Sequence, residues 1–264
     1  MSRRRGTYLD RILDFHRDRV GADRRDSAQL IEAATTAPMP RGFEARLRRD
    51  AVDSLAVISE VKRRSPSKGD LAADLDPAVL AGAYERGGAS CLSVLTDGPH
   101  FGGSPADLAR AREATGLPVL RKDFTVSAHD VLDARIMGAD CVLLIAAALE
   151  DDELFELLAV SSQVGLDALV EIHDESELEV AISAGATLIG VNQRDLTTFE
   201  VDHERAVRMG SAMPDSVVRV AESGVRDAED ARSLRAAGYD AILVGETLVR
   251  ASDPAAVIRS LKVH

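Results

Sequence analysis

Between residues 55 and 245 the chain alternates short apolar runs with longer, polar-faced segments. The runs read LAVISEVK (55–62), ASCLSVLT (89–96), LPVLRKD (117–123), ADCVLLI (139–145), LDALVEIH (166–173), TLIGVN (187–192), VVRVAES (217–223) and DAILVG (240–245). Each has the length and the Val, Ile, Leu and Ala content of a buried strand. Between them lie segments such as DPAVLAGAYERGG, SPADLARAREATG, SAHDVLDARIMG, DDELFELLAVSSQVG and ESELEVAISAGA, with apolar residues at helical spacing. Several open on Ser or Asp and close on Gly, as capped helices do. Such alternation requires parallel strands joined by helical crossovers, and eight repeats predict a closed (β/α)8 TIM barrel rather than an open doubly wound sheet.

Residues 1–54 fall outside the repeat. TYLDRILDFHRDRV places Tyr8, Leu9, Ile12 and Phe15 on one helical face; SAQLIEAATT is a second helical stretch, and FEARLRR follows a break at APMPRG. The pattern predicts an additional N-terminal helical segment that packs its apolar face on the barrel near its mouth, within a single domain spanning residues 1–264.

The first run carries two charges. In a strand from Val57 to Lys62, side chains alternate, so Ile58, Glu60 and Lys62 share one face while Val57, Ser59 and Val61 share the other. An unpaired charge taken out of water costs several kcal/mol or more, so this strand end either leaves the core or builds a site. The C-terminal strand ends of such a barrel surround its active site. Polar residues gather at those ends: Glu60 and Lys62 after the first run, Lys122 after the third, Glu171 after the fifth, Asn192 and Arg194 after the sixth, Glu222 and Ser223 after the seventh. Taken singly, each is equally a salt-bridged barrel residue; the convergence of the ends is what points to a site.

The same mouth suits a phosphate. Loops after strands 7 and 8 often cradle phosphate with backbone N–H groups, and close approach needs glycine. Gly224 in ESGV and Gly245 in LVGETL stand at those places, with Ser65 and Ser67 after the first strand as further donors. Glu246 follows Gly245, and its carboxylate would repel a phosphate, so only its backbone N–H is expected to face the ligand. There is no Walker-type or dinucleotide glycine motif in a suitable context.

Composition narrows the partners. At 264 residues and 45% hydrophobic the chain can bury a full core, and barrels of about 250 residues fold as one domain. The formal net charge of −12 opposes nonspecific nucleic-acid binding. Residues 1–54 carry 12 Arg against 9 acids, which leaves −15 on the remainder, so the basic run KRRSPSK is local. No apolar run is long enough to span a bilayer and none near the start resembles a signal peptide, so a soluble, cytoplasmic protein without membrane contact is expected. Cys91 and Cys141 lie in apolar stretches without metal-ligand spacing and are expected to be core residues.

Taken in order, SEVKRRSPSKG, SVLTDGPHFGGS, PVLRKDF, ALVEIH, IGVNQRDL, AESGV and LVGE resemble the signature series of the indole-3-glycerol-phosphate synthase family of tryptophan biosynthesis, over about residues 8–250 including the N-terminal helices. The resemblance implies a carboxy-lyase that closes 1-(2-carboxyphenylamino)-1-deoxyribulose 5-phosphate to indole-3-glycerol phosphate with loss of carbon dioxide and water, using no metal and no organic cofactor. It implies Lys122 as the general acid, Lys62 as a second lysine that binds the substrate carboxylate or shares the acid role, and Glu171 as principal base or charge partner. Glu60 would hold a lysine or the sugar hydroxyls. Asn192, Glu222, Ser223 and Arg194 would position substrate, although Arg194 sits one residue further out. Phe101 and Phe124 either flank the aromatic ring or pack in the core. His173 is either a helix cap or a proton carrier. The expected partner is a phosphorylated small molecule, the expected state a monomer, with other enzymes of tryptophan biosynthesis as candidate partners. Two other readings share the mouth: an aldolase-like lyase forming a Schiff base on Lys122, and a noncatalytic sugar-phosphate-binding barrel.

Overall fold

The computed structural model describes residues 8–65, 69–194 and 201–264. Eight parallel strands close on themselves: β1 (Ala56–Val61), β2 (Cys91–Leu95), β3 (Val119–Lys122), β4 (Cys141–Ile145), β5 (Asp167–Ile172), β6 (Leu188–Asn192), β7 (Val218–Glu222) and β8 (Ala241–Val244), with β1 paired to both β2 and β8. Each lies inside one of the eight apolar runs. The crossover helices begin where short polar side chains satisfy their first amides: Ser104 accepts from Asp107 N, Ser127 from Asp130 N, Asp174 from Glu177 N and Asp253 from Ala256 N.

Strand alternation sorts the core into two shells. Ile58, Leu120, Leu143, Leu169, Val220 and Leu243 pack together on the axis, while Val57, Val61, Val142, Val170, Ile189 and Ile242 face the helices. Glu60 continues the inward row of Ala56 and Ile58, as the alternation requires. Lys122, Glu171, Asn192 and Glu222 likewise extend the inward rows of Leu120, Leu169, Leu188 and Val220. The site is therefore the top layer of the barrel interior, with polar residues substituted for apolar ones. Cys91 and Cys141 are buried in that inner shell as free thiols, and burial pushes both thiols up.

The N-terminal segment forms α1 (Tyr8–Ala22), α2 (Ser27–Thr36) and α3 (Phe43–Asp50). Only α1 reaches the mouth, where Tyr8, Leu9 and Ile12 line the cavity. At the other end of the barrel α3 acts as a stopper: Phe43 and Leu47 are fully buried among Ala56, Cys91, Leu188 and other residues at strand starts. Its first turn is fixed there by Glu44 N, which donates to Asp167 Oδ2 at 2.9 Å. The inward face of α1 also differs from the apolar face of its sequence. Phe15 is 44% exposed, and the inward position one residue on belongs to His16, 1% exposed. A polar partner on the barrel, Asp97, reverses the expected order.

Candidate active site

The inward top layer opens into a cavity of about 740 Å³. Its walls include Glu60, Lys62, Lys122, Glu171, Asn192 and Glu222, together with Ser65, Phe101, Phe124, Arg194 and Ser223 and the loop residues Gly224, Gly245 and Glu246. Ser67 lies outside the described residues.

Lys122, at the end of β3, is clamped between two carboxylates: Nζ is 2.9 Å from Glu171 Oε2 and 3.5 Å from Glu222 Oε2. Burial opposes its charge, yet Glu171, Glu222 and Glu60 outweigh that and raise its pKa well above the ordinary value. The carboxylates diverge. Burial pushes Glu171 up, but Lys122, His173 and the Asn192 amide hold it down at about 2. Burial, with the negative charge of Glu171 beside it, pushes Glu222 up to about 8. Two carboxylates sharing one cation cannot both ionise freely. Glu222 Oε1 is buried with no hydrogen-bond partner among the described residues. Room for that carboxyl exists because β6 carries Gly190: a Cβ there would collide with Glu222 Oε1.

Across the cavity Lys62 pairs with Glu60. Asn192 Nδ2 donates to Glu171 Oε1 at 3.0 Å, and its Oδ1 accepts from Ser223 Oγ at 2.9 Å and from Arg194 N at 3.0 Å. That fixes the turn after β7, where Ser223 and Gly224 adopt successive positive φ values of 68° and 77°. Gln193 Nε2 holds the same turn by donating to Ser223 O at 2.8 Å. Gly224 leaves no side chain on the inner edge of this turn, so the backbone there can approach a ligand closely. At Gly224 a Cβ would also stand 2.5 Å from Val201 Cγ1.

Gly245 behaves differently. A Cβ there would strike Glu60 Oε1 and stand 3.1 Å from Lys62 Nζ, so this glycine makes room for the ion pair. Glu246 turns its carboxylate toward Arg250, with 3.5 Å between Oε1 and Nε. The Ser65 hydroxyl is buried without a partner among the described residues. His173 stands between the next helix, whose N-cap is Asp174, and Glu171 of the site. Its backbone N–H and Nδ1 meet Glu177 Oε2 at 2.7 and 3.2 Å, while Nε2 lies 3.7 Å from Glu171 Oε1. Burial opposes its charge, but Glu177 and Glu171 raise its pKa.

Phe101 and Phe124 stand 6.2 Å apart, ring centre to ring centre, and both are partly exposed to the cavity. Among the described residues one trio has donor atoms at metal-ligand spacing: His16, Asp97 and His100, all within 4.8 Å. Both imidazoles are turned onto Asp97, and the buried Nδ1 of His16 has, among the described residues, no acceptor of the kind that normally orients a metal-bound imidazole.

The indole-3-glycerol phosphate synthase family matches residues 9–261. The chain belongs to the indole-3-glycerol phosphate synthase family. It is 53% identical over 237 residues to indole-3-glycerol phosphate synthase 2 of Streptomyces coelicolor, covering 90% of this chain and 91% of that one. It is 48% identical to the Micrococcus luteus synthase, covering 97% of each chain, and 49% identical to the Mycobacteroides abscessus synthase, covering 97% of this chain and 94% of that one. Among solved structures it is similar in fold to a 3-hexulose-6-phosphate synthase (TM-score 0.62, 15% identity, 78% of this chain and 98% of that one). It is also similar to a thiamine phosphate pyrophosphorylase from Pyrococcus furiosus (TM-score 0.59, 18% identity, 81% and 95%). No helix among the described residues is long and apolar enough to cross a membrane.

Some residues that shape this family member's site do not stand out in the sequence. Gly190 has a visible signal, since glycine inside a strand marks a close approach. Gln193, Asp97 and His16 have none, because their roles depend on partners far away in the chain.

Proposed function

We propose that this mouth carries out the family's reaction, closing 1-(2-carboxyphenylamino)-1-deoxyribulose 5-phosphate to indole-3-glycerol phosphate with loss of carbon dioxide and water. The observation that carries the assignment is one ammonium, Lys122, held between the buried carboxyls of Glu171 and Glu222 inside a cavity that also has a second lysine.

When the aromatic carbon attacks the sugar ketone, negative charge grows on the carbonyl oxygen. Lys122 is the fixed cation for that oxygen, and an alkoxide is basic enough to take its proton. Glu171 and Asn192 keep the ammonium aimed and charged. Loss of carbon dioxide restores the aromatic ring, with Lys62 holding the carboxylate until it leaves. Dehydration then needs an acid for the departing hydroxide, and Glu222 is matched to that task because its pKa lies near working pH. Glu60, paired with Lys62, takes up the remaining proton. The turn at Ser223–Gly224, the Ser65 hydroxyl and the backbone N–H of Glu246 receive the phosphate, Arg194 reaches the carboxylate side, and Phe101 and Phe124 flank the phenyl ring.

Spectroscopic detection of indole-ring formation from the named substrate tests the reading; no product at enzyme concentrations equal to the substrate sinks it. Borohydride added during turnover separates it from the Schiff-base alternative, which requires a reduced adduct on Lys122 detectable by mass.

A further inference from the structure

The inward face of α1 places a histidine at a fully buried position. His16 Nε2 lies 3.0 Å from Asp97 Oδ2 and 4.0 Å from Asp123 Oδ1. Asp97 is itself 3% exposed just beyond the end of β2, and a carboxylate there needs compensation. The barrel retains it for a local reason. Asp97 Oδ1 accepts from His100 N at 2.7 Å and Phe101 N at 3.2 Å, so it caps the short turn that presents Phe101 to the cavity. His100 Nδ1 adds a further interaction, 3.0 Å from Asp97 Oδ2.

On the next strand Asp123 plays the matching part for Phe124. Its Oδ1 accepts from Phe124 N at 2.9 Å, while its Oδ2 is taken by Arg121 at 2.9 Å and by Thr96. The His16 ring lies 5.4 Å from the Phe124 ring, tilted by 40°. One imidazole delivered by the N-terminal helix therefore touches the carboxylate that sets Phe101 and the ring of Phe124 itself.

We propose that His16 is a positioning residue for the aromatic end of the cavity: held by Asp97, its imidazole fixes Phe124 and Phe101 as the two walls that clasp the phenyl ring of the substrate. The inference rests on the functional reading above and adds a role for the N-terminal helix within it. It makes α1 a part of the ring-binding subsite, at the opposite end from the phosphate cradle, so loss of His16 is felt by ligands that carry a ring and not by a bare phosphate.

Calorimetric titration with indole-3-glycerol phosphate and, separately, with inorganic phosphate tests this on the parent, His16→Ala, His16→Gln, Phe124→Ala and the double variant H16A/F124A. Displacing one aromatic wall from a bound ring weakens binding by about tenfold. His16→Ala is expected to weaken product binding by about that much while phosphate affinity stays within about twofold. His16→Gln, which restores a donor to Asp97, recovers most of the loss. In the Phe124→Ala background, His16→Ala costs the product no more than about twofold further, because residues acting through one shared wall are not additive. KM rises more than kcat falls. Equal loss of product and phosphate affinity means that α1 has simply come away, and overturns the proposal; so does unchanged product affinity in His16→Ala, or full additivity with Phe124→Ala. If His16→Ala does not fold, His16→Leu keeps the volume, removes Nε2 and is read by the same criteria. A parent protein that binds phosphate but not the product sinks the functional reading itself, and is told apart from failure of this inference by the parent titration alone.

Discussion

Glu171 and Glu222 reach the same Lys122 ammonium, at 2.9 and 3.5 Å, yet their pKa values are pushed in opposite directions, Glu171 down and Glu222 up. The closer carboxylate, which also accepts from Asn192, takes the full benefit of the cation. The other, whose Oε1 has no hydrogen-bond partner among the described residues, is pushed up by burial and by the charge of Glu171. The division of labour proposed above follows from this asymmetry.

Glu222 yields the first prediction. Its pKa is raised from an ordinary 4.5 to about 8, so the folded protein holds a proton that the unfolded chain releases between those values. The stability linked to that proton is complete below 4.5 and is lost as pH rises through about 8. Glu222→Gln removes the titration. Its melting temperature should gain on the parent's as pH is raised from 5 to 9, while turnover falls by roughly 10²-fold or more and the alkaline limb of the parent's kcat profile disappears. An alkaline limb that survives in Glu222→Gln assigns it to another group.

Lys122→Met keeps the aliphatic stem and removes the ammonium. Turnover should drop by about 10²–10⁴-fold, with a much smaller loss of product affinity. Glu171 loses the partner that holds it down, so its carboxyl should move up, which carbon-13 NMR of the labelled side chain detects. Near-normal turnover in Lys122→Met, alongside abolition in Lys62→Met, would transfer the oxyanion role to Lys62.

The two glycines of the expected phosphate cradle should separate kinetically. At Gly224 positive φ and the nearness of Val201 penalise any side chain, so Gly224→Ala should distort the turn and weaken competition by inorganic phosphate. Gly245→Ala instead pushes a methyl group into the Glu60–Lys62 pair, so it should lower kcat as well as phosphate affinity. Parallel inhibition constants and turnover numbers for both variants decide the matter; a Gly245→Ala enzyme impaired only in phosphate binding would show that the ion pair is not its main neighbour.

Deletions at the N-terminus should have two distinct outcomes because α1 and α3 close opposite ends of the barrel. Removing residues 1–24 takes away Leu9, Ile12 and His16 and should raise KM for a protein that still folds. Removing residues 1–45 also takes Phe43 out of the barrel floor and exposes its inner shell, so this variant should aggregate. Light scattering and steady-state kinetics on both deletions read the difference; equal behaviour argues against separate roles for the two helices.

The periodicity of the chain by itself determined the eight strands, their closure and the face on which Glu60, Lys122, Glu171, Asn192 and Glu222 stand. Those depend on local alternation and on the rule that a parallel barrel presents its strand ends at one mouth. Tertiary structure alone decided what each polar residue meets. Whether Glu171 or Glu222 keeps its proton depends on distances from Lys122 across strands dozens of residues apart, and whether Gly245 serves a ligand or an ion pair depends on Glu60, at the other end of the sequence. The inward face of α1 belongs to the same class. Its own pattern chose Phe15, but burial is set by the surface it meets, and a carboxylate just after β2 made His16 the better fit.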